Sequence, residues 1–104
     1  MTSPVDRLKE KTTKENLWLY ILSILEEKDA YGYALRENII KKFGFKPGNV
    51  TAYRVLYSLK RNNFVETFEE EVNGRKRKYY KITKMGEEEL SKGKELLTKI
   101  LASL

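Results

Sequence analysis

The chain has 104 residues, with 21 Lys plus Arg against 15 Asp plus Glu, a formal net charge of +6, and neither His nor Cys. This length holds one domain that buries about two-thirds of the surface its unfolded chain exposes. The missing thiols and imidazoles exclude a disulfide frame, a Cys/His zinc site and any Ser-His or Cys-His nucleophile pair, so the composition fits a small basic module.

The N-terminal arm, residues 1–15, carries Val5 and Leu8 behind Ser3-Pro4, which could serve as N-cap and first helical residue, so the arm is either a frayed helix or an extension without one. Thr12-x-x-Glu15 then fits a capping box opening a stronger helix through LWLYILSILEEK. Leu17, Ile21, Ile24 and Leu25 occupy one face of it, while Trp18, Leu19, Tyr20 and Leu22 make the other face apolar as well. A helix apolar all round must be covered on both sides. The expectation is that a partner subunit supplies the second cover. This apolar run, interrupted by Ser23, is far shorter than the ~20 residues that cross a bilayer, and no small-residue cleavage site follows it. The expected setting is the cytoplasm, with no membrane partner.

Lys28-Asp29-Ala30 reads as a turn, and Tyr31 to Phe43 as a second helix with Leu35, Ile39 and Ile40 on one side. Gly44 ends it as a left-handed cap. Lys46-Pro47-Gly48-Asn49 is turn chemistry before a third helix, Asn49 to about Asn62. At about 100° per residue, Ala52, Leu56 and Leu59 fall together, with Arg54, Ser58 and Arg61 on the far side.

Residues 64–83 change period. Two β-prone runs, FVETFEEEV and RKRKYYKIT, flank Asn73-Gly74, the dipeptide of a two-residue type I′ hairpin. That turn sets Val65 opposite Ile82, Glu66 opposite Lys81, Phe68 opposite Tyr79, Glu69 opposite Lys78, Glu70 opposite Arg77 and Glu71 opposite Lys76. Every charged pair is of opposite sign. Arg75, at the tip, has no carboxylate opposite. The last helix, 84–104, spaces Leu90, Leu97 and Leu104 by heptads, with Leu96, Ile100 and Leu101 widening the stripe. Three helices, a hairpin and a trailing helix make a mainly α (α+β) winged helix-turn-helix over residues 16–83, with a C-terminal dimerisation helix over 84–104.

Three collinear segments carry a family resemblance. Ala30-Tyr31-Gly32-Tyr33-Ala34-Leu35 resembles the start of the second helix in the PadR family of transcriptional regulators. Val50-Thr51-Ala52-Tyr53 with Leu56 and Leu59 resembles its third helix, and Arg75 to Thr83 with Gly86 resembles its wing. Two departures stand out. Asn63 replaces the Gly usual before the first wing strand and must take a left-handed conformation, and Glu69-Glu70-Glu71 is an unusually heavy acidic run. The resemblance implies a homodimer in which the last helix of one subunit packs on the first helix of the other, binding to a palindromic operator, and, in some short members, a flat aromatic effector at the dimer interface.

A helix that enters the major groove needs donors on its exposed face near its N-terminus. Asn49, Thr51 and Arg54 meet that need, Ser58 and Arg61 continue the stripe, and Lys46 and Lys60 are placed to hold phosphates. The alternative is that these cations only solvate a surface. Tyr53, at the stripe's edge, either lies close to DNA, as the matching family Tyr does, or packs under the hairpin. In the wing, Arg75 and Arg77 are the candidate backbone or minor-groove contacts, against the alternative of a hairpin whose Glu run neutralises its own cations. Leu17, Trp18, Ile21, Leu90, Leu97, Ile100, Leu101 and Leu104 are the candidate dimer residues. Trp18, Tyr20, Tyr31 and Tyr33 could form a stacking pocket for an aromatic effector, against plain interface packing.

No catalytic constellation stands out. Glu87-Glu88-Glu89 are consecutive on a helix and point in different directions, and no Gly-rich phosphate loop or metal-ligand cluster occurs. No cofactor is implied. The reading is therefore a homodimeric, sequence-specific regulator of double-stranded DNA, expected to act as a repressor. The rival is a winged-helix protein-assembly module for which DNA is incidental, and a charge of +6 permits both.

Overall fold

A computed structural model describes residues 3–104. Ser3 caps helix α1 (Pro4–Thr12): its hydroxyl accepts from the Asp6 amide at 3.2 Å while the Asp6 carboxylate accepts from the Ser3 amide, a complete capping box. The expected box at Thr12 and Glu15 does not form. The Thr12 hydroxyl instead donates to the Leu8 carbonyl at 2.8 Å, Glu15 pairs with Lys11, and a 3-10 turn, Lys14–Asn16, breaks the chain before helix α2 (Leu17–Glu27). Thr12 thus closes one helix rather than opening the next.

α2 is the central element. Its Leu17, Ile21, Leu22, Ile24 and Leu25 are buried against Leu35 and Ile39 of α3 (Gly32–Phe43), Ala52, Leu56 and Leu59 of α4 (Asn49–Arg61), and Leu90 of α5 (Lys84–Ser103). The expectation that a partner must supply the second cover is corrected here, because the N-terminal half of α5 folds back on α2 within the same chain. Gly93 permits the approach: a Cβ there would meet Trp18 at 2.9 Å.

A short strand takes the last residue of the turn expected at Lys28-Asp29-Ala30 and the first residue of the helix expected from Tyr31. β1 (Ala30–Tyr31) pairs antiparallel with β3 (Arg75–Ile82), and β3 pairs with β2 (Val65–Val72), giving the order β1-β3-β2. The hairpin register is the expected one, with Val65 opposite Ile82, Phe68 opposite Tyr79 and Glu71 opposite Lys76. Asn73 and Gly74 both have positive φ, 53° and 75°, as a type I′ turn requires. Asn63 takes the left-handed conformation, φ 65°, that its place before the wing demanded.

α5 starts where three polar contacts meet. The Thr83 hydroxyl donates to the Asn63 carbonyl at 2.6 Å and accepts from the Gly86 amide, while the Thr83 amide donates to the Phe64 carbonyl at 3.1 Å. A Cβ at Gly86 would lie 2.1 Å from that same Phe64 oxygen, so only glycine fits. The Thr and Gly after the wing therefore hold the last helix to the base of the first wing strand.

Candidate nucleic-acid interface

α4 is presented by a rigid turn. Pro47 is buried and its carbonyl accepts from Arg36 Nε at 2.8 Å, which fixes the approach to Gly48, the N-cap residue. No side chain caps the helix, and its sequence, NVTAYRVLYSLKR, contains no acid. Its N-terminus therefore offers amide donors and a favourable dipole to anions. Asn49, Thr51, Arg54, Ser58, Lys60 and Arg61 are all exposed on this helix, and Lys46 is exposed just before it. Tyr53 lies half exposed with its ring on the backbone of Gly32, where a Cβ would meet its Cε1 at 2.7 Å.

Two residues of this face escaped the sequence reading. Val50 and Tyr57 are 71% and 68% exposed. At about 100° per residue both fall outside the sector of Ala52, Leu56 and Leu59, so the angular arithmetic contained them. Their apolar or aromatic character kept them out of a search for polar donors.

The wing differs from expectation in one respect. Opposite charges do face each other across the hairpin, but among the described residues none of the ion pairs within 4 Å crosses it. Arg77 instead lies over the Tyr31 ring, 4.4 Å from its centroid, and Tyr31 makes an edge contact with Tyr79. Lys76 and Lys78 are exposed, as is Arg75 at the tip. The alternative of a hairpin whose Glu run neutralises Lys76, Arg77 and Lys78 finds no contact pair among the described residues.

The proposed dimer residues divide. Leu17, Ile21 and Leu90 are 2%, 0% and 1% exposed, buried in the chain's own core, and present no surface to a partner. Trp18 is partly buried beside Gly93, its Nε1 donating to Asn16 Oδ1 at 3.3 Å. Leu97, Ile100, Leu101 and Leu104 are exposed along the distal half of α5, and Val5 and Leu8 are exposed on α1. The four aromatics grouped as a stacking pocket also separate. Trp18 and Tyr20 line a cavity of about 220 Å³ between α2 and α5, whereas Tyr31 and Tyr33 line a recess beside the wing. Among the described residues no acidic cluster could hold a metal, and no helix is long and apolar enough to cross a membrane.

A helix-turn-helix whose second helix is exposed, followed by a β-hairpin beside it, defines a winged helix-turn-helix protein. Residues 21–92 match the sequence pattern of the "Transcriptional regulator PadR-like family". The chain belongs to that family, which is one of transcription regulators and not of enzymes. It is 36% identical over 74 residues to an uncharacterized protein of Lysinibacillus sphaericus, covering 68% of each chain. A PadR-like transcriptional regulator from Bacillus cereus is similar in structure, with a TM-score of 0.77, 27% identity and 91% of each chain covered. Bacillus subtilis PadR, solved in complex with operator DNA, shares the fold with a TM-score of 0.67 at 22% identity, over 73% of this chain and 45% of that one.

Proposed function

We infer that this regulator binds double-stranded DNA sequence-specifically as a homodimer on a palindromic operator, acting as a repressor by occupying it. One observation carries the reading: α4 is free of acids and exposes Asn49, Thr51, Arg54 and Arg61 beside a wing whose cations are not tied up in contact pairs. Asn and Arg at the start of a groove-entering helix are the side chains best able to read base edges, while Lys46, Lys60 and Arg75 add backbone contacts. The operator complex of the Bacillus subtilis relative supports the same use of the fold.

The dimer reading is supported by the distal half of α5. Leu97, Ile100, Leu101 and Leu104 form an apolar stripe that a second copy would cover, together with Val5 and Leu8 of α1. An aromatic effector would enter at Trp18 and Tyr20, where about 220 Å³ lies open next to Leu96 and Leu97. The setting in which a DNA regulator of this kind works is the cytoplasm.

Fluorescence anisotropy with the DNA upstream of its own gene, against a scrambled duplex, tests the reading. The expected result is at least about a hundredfold preference for the upstream duplex. Equal affinity for both would reduce the protein to a nonspecific binder and favour the assembly-module alternative.

A further inference from the structure

The edge of α4 that faces the wing borders a crevice of about 520 Å³, lined by Tyr53, Tyr57, Lys60 and Arg61 of the helix and by Lys78 and Tyr80 of β3. A smaller recess continues it past Tyr53, Lys78 and Tyr80 towards Gly32 and Arg77. Neither is lined by a carboxylate among the described residues, and Glu69, opposite Lys78 across the hairpin, makes no ion pair with it within 4 Å. Tyr80 is the unusual member. Its side chain is only 8% exposed, its ring belongs to the core, and it lines both spaces. Buried phenols ordinarily pair their hydroxyl with a protein group. Among the described residues the Tyr80 hydroxyl makes no such bond, and it is not sealed away from the surface. Burial, and then the neighbouring Tyr53 phenol, push its pKa above the ordinary tyrosine value, so it remains a donor at neutral pH.

We propose that this crevice seats one phosphodiester of the DNA backbone, with the Tyr80 hydroxyl donating a hydrogen bond from its floor and Lys60 and Lys78 supplying charge at its rim. The assignment rests on the DNA-binding reading above and adds a residue that the recognition face alone would not include. Cations and phenol donors without a carboxylate select an oxyanion over a metal or a cationic ligand. The position between recognition helix and wing suits a backbone phosphate, because a contact there fixes how deeply α4 sits in the groove while carrying no base information. Gly32 contributes by letting the Tyr53 ring rest against α3.

Tyr80→Phe keeps the ring and removes only the donor; Lys78→Gln, at an exposed site, removes only the charge. Anisotropy with the upstream and the scrambled duplex, across a salt series, reads both, with thermal unfolding to confirm the fold. Tyr80→Phe is expected to weaken both duplexes by the same factor, about tenfold, with the salt slope unchanged. Lys78→Gln should weaken both and lower the slope by about 0.9. The two effects should combine less than additively because they act on one phosphate. Wild-type affinity of Tyr80→Phe for both duplexes would overturn the clamp and leave the DNA-binding reading standing. A loss confined to the upstream duplex would also overturn it, marking a base contact instead. Tyr80-dependent binding of inorganic phosphate, with DNA affinity unaffected, would replace the backbone by a free anion. Failure of the wild-type protein to bind either duplex would remove both readings together.

Discussion

Arg77 rests its guanidinium on Tyr31, the residue that precedes α3, 4.4 Å from the ring centroid. The wing is thereby fastened to the helix-turn-helix by a cation-π contact as well as by the two-residue pairing of β1 with β3. Such contacts contribute about 0.5–1 kcal/mol at partly exposed sites. A double-mutant cycle of Arg77→Met and Tyr31→Leu, followed by urea unfolding, should give a coupling in that range. Glu70→Gln, by contrast, should leave stability unchanged within about 0.3 kcal/mol, because exposed opposite charges without contact contribute little.

Gly32 and Tyr53 face each other so closely that a methyl group at 32 would press on the Tyr53 ring. That ring is half exposed and can swing aside. Gly32→Ala should therefore fold with a melting temperature close to wild type while DNA affinity falls several-fold, as read by anisotropy. A large loss of stability with unchanged affinity would show that the ring cannot yield.

Gly86 allows no such escape, since a Cβ would meet the Phe64 backbone oxygen at 2.1 Å. Overpacking against backbone forces α5 away from the first wing strand and breaks the Thr83 contacts. Gly86→Ala should cost about 3 kcal/mol in denaturant unfolding, far more than the same change at the exposed Gly44. At Gly44 the penalty comes from its positive φ, 76°.

With no His and no Cys, no side chain has an ordinary pKa between about 5 and 8, so stability should be flat across that range. Burial raises the pKa of Tyr20, whose hydroxyl donates to the Thr12 carbonyl at 2.5 Å, and burial with Tyr53 raises that of Tyr80. A folded pKa above the unfolded value contributes stability that is complete below the ordinary tyrosine pKa of about 10 and is lost as pH rises through the folded value. Thermal unfolding against pH should decline on the alkaline side of that flat range, and Tyr20→Phe should make that decline shallower.

How much of this was legible in the sequence differs between elements. Asn73-Gly74 has so few backbone solutions that it fixed the register of sixteen hairpin residues, and Ala52, Leu56 and Leu59 marked the buried side of α4 correctly. β1 was not legible, because two residues carry no period; only pairing with Tyr79 and Tyr80 makes them a strand. Leu17 and Ile21, on a helix apolar all round, and Leu90, on a heptad stripe, read as dimer residues because such patterns tell that a face is covered, not by which chain. In the site, Arg54 and Arg61 were visible by type and angle, whereas Tyr80 was not singled out. Nothing in a sequence shows that a buried ring leaves its hydroxyl facing a basic crevice.

The apolar stripe on distal α5 makes oligomeric state separable from folding. Ile100→Glu with Leu101→Glu touches nothing buried in the chain. Light scattering should report a monomer whose helical content is unchanged, and DNA affinity should fall sharply as the two half-sites are uncoupled.

Hydroxyl-radical footprinting on the upstream DNA tests the central claim most directly. Two recognition helices related by a dyad should give two protected patches about one helical turn apart, about 34–36 Å along the duplex. A single patch, or uniform weak protection along the fragment, would contradict a homodimer reading a palindrome with α4.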